Sequence, residues 1–180
     1  LPGAIIPAIG GLAVAFLRRF FVLPQHGERL LVRMRNAFRA RQRLIVRATL
    51  RAMPAIDGHE RDAGIRDQLV RLNESALAID EQLSEGGALG SEGCLRARIF
   101  DAELATENFV AVAMRFRATG NTVPPVLSRS LEAFCRDAFC DSRTLAGDAL
   151  SLDKGATSEC RRLYASAENL TKATLALTAP

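Results

Sequence analysis

The feature that most constrains the fold is a spacing of apolar residues. Ile65, Leu69, Leu72, Ala76, Ile79 and Leu83 recur at steps of 4, 3, 4, 3 and 4. That heptad spacing puts them on one seam of an α-helix, and the seam needs a helical partner to cover it. The seam returns in Leu95, Ile99, Ala102, Phe109, Ala113 and Phe116, with Thr106 filling one position. Leu127, Leu131, Phe134 and Ala138 step 4, 3, 4, and Leu163, Ala167, Leu170, Thr174 and Leu177 form a further inward row. No stretch sustains the period of two that a half-buried strand would show. Ala, Leu and Arg are abundant, Trp is absent and Tyr occurs once, a balance that favours helix. The fold class predicted is all-α, an antiparallel bundle with the left-handed, near-parallel packing that a 3.5-residue repeat brings. A chain of 180 residues suits one such domain.

Caps and breakers set the boundaries. Helices are predicted at 28–53, about 58–84, 92–118, 124–140 and 158–177. Asp57 stands at an N-cap position with Glu60 three residues on, a capping-box pattern. "SEGGALGSEG", from Ser84 to Gly93, reads as a flexible connection. No Gly-Lys-Ser/Thr follows its glycines, so it is not a phosphate loop. Gly120 and Asn121 give a C-cap signal, and Pro124-Pro125 suit the first turn of the next helix. Residues 141–155 form a break with room for one short helical turn.

Charge is distributed unevenly. From Arg18 to Arg51 there are ten arginines and one acid, Glu28, a net of +9. The remaining residues carry fourteen basic and nineteen acidic side chains, a net of −5. Such asymmetry points the basic end at phosphates, of lipid or of nucleic acid. Leu31, Met34, Phe38, Ile45, Ala48 and Ala52 fall on one stripe at the helical period. Arg29, Arg33, Arg39, Arg43, Arg47 and Arg51 fall within about 120° on the opposite side. This is a basic amphipathic helix. It suits an anionic leaflet, where each Arg near the surface contributes about 1 kcal/mol; the alternative is a solvated bundle face. Nucleic acid is the weaker partner, because no aromatics interleave with the arginines and no binding motif occurs.

Residues 1–17, "LPGAIIPAIGGLAVAFL", contain no charge. A signal peptide would carry its positive charges before the apolar run, and here Arg18 and Arg19 follow it. Two readings stand: a buried or partner-covered helix, and the last part of a transmembrane helix. Gly and Pro are commoner in membrane helices, and Arg18 and Arg19 would mark its cytoplasmic border. The domain expectation is a transmembrane-like end over 1–23 and a helical bundle over 24–180.

Little in the chain carries chemistry. His26 and His59 stand apart, and neither Gly-x-Ser-x-Gly nor His-Glu-x-x-His occurs. Cys94, Cys135, Cys140 and Cys160 form no C-x-x-C pair and read as buried thiols. Asp80, Glu81, Asp101, Glu103 and Glu107 could meet across a bundle, but a di-metal centre there needs Glu-x-x-His, which is absent. Arg61-Asp62 and Arg136-Asp137 read as solvated pairs. No catalytic residue, metal site or cofactor is predicted.

Three phrases carry a family likeness: "VAFLRRFFVLPQHGERLLVRMRNAFRARQRLIVRATL", "RDQLVRLNESALAIDEQLSE" and "LRARIFDAELATENFVAVAMR". They resemble the fusaric-acid-resistance (FUSC-like) or aromatic acid exporter family of bacterial membrane proteins, over roughly residues 10–118. The resemblance implies a helical domain on the cytoplasmic side of the inner membrane, following an apolar helix and its Arg-rich exit. It implies export of small aromatic or other organic acids or toxic compounds, the rest of the membrane protein as partner, and a homo-oligomer. It brings no substrate-binding motif. A membrane-docking helical scaffold remains the alternative from a different class.

Overall fold

A computed structural model describes residues 23–54, 59–86, 91–136 and 157–177. They form five helices and no strand: α1 (Leu23–Ala52), α2 (His59–Gly86), α3 (Ser91–Ala118), α4 (Pro125–Arg136) and α5 (Ser158–Ala176). The all-α expectation holds for these residues. The apolar start with Arg18 and Arg19, the Asp57 cap, Ala138 and Cys140 and the 141–155 break lie outside them. Among the described residues no helix is long and apolar enough to cross a membrane.

Two boundaries differ from the sequence reading. α1 begins at Leu23 instead of 28; Pro24 is no obstacle, because the first helical turn needs no backbone N–H partner. The Ser84–Gly93 connection is helical at both ends, with α2 running to Gly86 and α3 starting at Ser91. Within α2, the Ser84 hydroxyl donates back to the Asp80 carbonyl at 2.9 Å and accepts from Arg96 Nη2 of α3 at 2.7 Å. Other ends follow the sequence. Gly120 takes the left-handed φ of 70° and its N–H reaches the Arg117 carbonyl at 2.9 Å, closing α3. Thr157 caps α5, its hydroxyl accepting from the Cys160 N–H at 3.3 Å.

α1 packs along α2, and α3 packs along α5. α3 also touches α2 and α1, and α4 lies on α1 and reaches α5. α1 and α3 are therefore the two helices with most neighbours, and they meet each other. Arg117 binds Asp62 at one end of α2 and Arg96 pairs with Asp80 near the other, so α2 and α3 run in opposite directions. Ile65, Leu72, Ile79, Leu83, Ile99, Phe109 and Phe116 are buried, as their seams require. Leu69 and Leu95 are half-buried against the same cluster. Each large apolar side chain so buried contributes about 1.5–3 kcal/mol.

The α1 stripe is wider than its apolar residues suggest. Phe38, Ile45, Val46 and Ala52 are fully buried, and so are the polar Gln42 and Thr49. Gln42 sits on the seam between Phe38 and Ile45 and faces α3. Its Nε2 donates to the Ala102 carbonyl at 3.1 Å and to Thr106 Oγ1 at 2.9 Å. A polar pair thus joins the two central helices where apolar packing alone was expected.

Candidate functional site

Among the described residues the arginines of α1 are the densest cluster of one chemistry, and the helices around α1 give them different partners. Arg29 and Arg33 are exposed in the first half of α1, beside the exposed Leu30 and Val32. Arg39 and Arg43 are half-buried. Burial pushes the Arg39 guanidinium below the usual arginine range, and the neighbouring Arg43 and Arg35 add to it. Arg41, which falls outside the predicted arginine stripe, reaches α2 instead: Nη1 donates to the Arg71 carbonyl at 2.5 Å and to Ser75 Oγ at 2.7 Å.

α4 packs on α1 beside the second half of the stripe, where Arg47 and Arg51 stay exposed. Arg47 Nη2 donates to the Cys135 carbonyl at 3.1 Å, satisfying a carbonyl that the end of α4 leaves without an intrahelical donor. The Cys135 thiol in turn donates to the Arg43 carbonyl at 3.7 Å. Between α1 and α4 lies a cavity of about 440 Å³. Its walls are Arg47, Leu50 and Arg51 from α1, and Ser128, Glu132, Cys135 and Arg136 from α4. Arg136 Nε donates to the Glu132 carbonyl at 3.4 Å, and Ser128 Oγ donates to Glu132 Oε1 at 3.3 Å. Arg51 makes no hydrogen bond or ion pair among the described residues. Of the six arginines predicted as one membrane-facing surface, Arg29, Arg33, Arg47 and Arg51 are exposed and Arg39 and Arg43 are half-buried; Arg47 and Arg51 also line the cavity. Arg136, read from sequence as part of a solvated pair, joins that cavity.

The acids go elsewhere. Asp62, also read as solvated, is held by Arg117 through two bonds of 2.9 and 2.5 Å, with each side chain only 18% exposed. Arg117 Nη1 also reaches the Ala52 carbonyl at the end of α1, at 3.3 Å. This bond to Asp62 raises the Arg117 pKa further. Asp80 pairs with Arg96. Glu103 is buried, with Oε1 lacking a hydrogen-bond partner. Burial raises its pKa, Glu107 raises it again, and a hydrogen bond from Asn73 opposes both. Among the described residues no three acids, cysteines or histidines come together as a metal site.

Cys135 and Cys160 are buried free thiols whose pKa burial pushes up, which favours the inert protonated form. Cys94 is exposed, against the expectation of burial, because its position on α3 lies outside the Leu95 and Ile99 seam.

No family model matches the chain, and neither do the curated proteins or the solved structures. The fusaric-acid-resistance likeness accordingly rests on the sequence phrases that suggested it.

Proposed function

We propose that this chain is the helical domain of a bacterial inner-membrane exporter of small aromatic or organic acids or related toxic compounds. In this reading it lies on the cytoplasmic side and acts in assembly or gating, with no catalytic role. The observation that carries the reading is the order of the first 52 residues: an uncharged apolar run, Arg18 and Arg19, then a basic helix whose first half leaves Arg29, Leu30, Val32 and Arg33 exposed. Exposed arginines beside exposed aliphatic side chains suit the boundary between head groups and acyl chains. The bundle behind that helix supports the reading through its rigidity, since α1 is tied to α2, α3 and α4 by hydrogen bonds as well as by its core.

The test is made in cells. The gene is disrupted, and outflow of a preloaded panel of weak aromatic acids is followed. Outflow should slow, recover with the whole gene, and fail to recover with a version lacking residues 24–180. Unchanged outflow across the panel would remove the exporter reading. The same exposed half of α1 favours a second reading, a membrane-docking helical scaffold. That protein would bind anionic vesicles without affecting outflow.

A further inference from the structure

The open cavity between α1 and α4 is lined by three arginines and one glutamate, Glu132, a lining charge of +2. None of the three arginines forms an ion pair among the described residues. Arg47 uses one N–H on the Cys135 carbonyl, Arg136 uses Nε on the Glu132 carbonyl, and Arg51 uses none. Most of the fork donors that line the cavity are therefore unspent. Like charges gathered on one small surface repel, and an anion between them converts that repulsion into attraction. The acid that could have neutralised them is turned to other use, since Glu132 accepts from Ser128 on its own helix.

We propose that this cavity binds a phosphate monoester as its dianion. Such a group carries nearly two negative charges at neutral pH and three strong acceptor oxygens, matching the lining charge and giving each guanidinium an oxygen. A single carboxylate carries half the charge and one fewer oxygen, and a dicarboxylate such as succinate splits its two charges between groups several bonds apart. The volume lies at the lower end for small-molecule sites, large enough for the phosphate and a short carbon body. Leu50 and Cys135 supply an apolar wall for that body. The monoester can come from a soluble metabolite or from a lipid head group of the phosphatidic acid type. The proposal goes beyond the exporter reading and does not depend on it.

The experiment is calorimetric titration of the full chain with glycerol 3-phosphate, alongside co-sedimentation with phosphatidic acid vesicles. Wild type should bind at least one of the two. The double variant Arg51→Gln, Arg136→Gln should bind that species at least tenfold more weakly, with an unchanged helical circular dichroism spectrum. The double variant Arg29→Gln, Arg33→Gln should bind glycerol 3-phosphate as wild type does. Succinate should bind at least tenfold more weakly than the ester. Affinity should fall below about pH 6, where the dianion takes up a proton and becomes the monoanion. Binding of glycerol 3-phosphate assigns a soluble ligand. Binding confined to vesicles, and lost in Arg51→Gln, Arg136→Gln, assigns a head group. Absence of both, equal binding by that variant, or equal binding of succinate overturns the proposal.

Discussion

The two halves of α1 carry similar arginines and live in different surroundings. In the first half Leu30 and Val32 are 43% and 45% exposed, with Arg29 and Arg33 beside them. In the second half Phe38, Ile45 and Val46 are fully buried, and the arginines are tied to backbone carbonyls or line a cavity. The difference comes from neighbours. α2, α3 and α4 hydrogen-bond to α1 at Arg41, Gln42 and Arg47, all in the second half. Exposure alone does not separate the halves, since Leu44 is 55% exposed and Arg47 and Arg51 are exposed too. What the second half adds is bonded partners on neighbouring helices.

The largest effect should separate the halves by stability. Phe38→Ala should cost about 3–5 kcal/mol in urea unfolding, as a large buried side chain leaves a cavity. Leu30→Ala should cost under about 0.5 kcal/mol. Similar costs at the two positions would break the comparison. Gln42→Ala comes next, at about 1–3 kcal/mol, because it removes two buried hydrogen bonds between α1 and α3, although Thr106 Oγ1 still donates to the Ala102 carbonyl.

A pH profile sharpens the picture of the centre. The raised Glu103 pKa means the fold favours its neutral form. Its stabilising contribution is therefore fully present below the ordinary carboxylate pKa, near 4.3, and is lost as pH rises above it. Unfolding of Glu103→Gln should lack that decline, so the variant gains on wild type as pH rises toward 7. A constant difference from pH 4 to pH 7 would mean that Glu103 is ionised in the fold with no penalty. The smallest structural effect should come from Arg29→Gln with Arg33→Gln, which should leave the urea midpoint unchanged within error.

Much of this was legible in the sequence. The seams of α2 and α3 were plain because Ile65, Leu72, Ile79, Ile99 and Phe109 are large, apolar and regularly spaced. Gln42 and Glu103 were not, because polarity argues against burial until a partner helix supplies donors and acceptors. Thr106 entered the seam only as a gap-filler, although its hydroxyl accepts from Gln42. The arginine stripe was legible as a helical face; the carbonyl bond and the cavity that α4 adds to part of it were not. Helical angle is a property of sequence, whereas the cover given by α4 arises from contacts between residues such as Arg47 and Cys135, 88 positions apart. The cavity was invisible for the same reason, since half its wall comes from α4.

The most direct test of the division within α1 is co-sedimentation with vesicles containing phosphatidylglycerol, a diester that differs from the ligand proposed for the α1/α4 cavity. With each arginine near the leaflet contributing about 1 kcal/mol, Arg29→Gln with Arg33→Gln should weaken binding about thirtyfold. Arg51→Gln with Arg136→Gln should weaken it less than threefold. If the second pair costs as much as the first, the arginines act as one membrane-facing surface, and the difference in bonded partners between the two halves of α1 has no functional meaning.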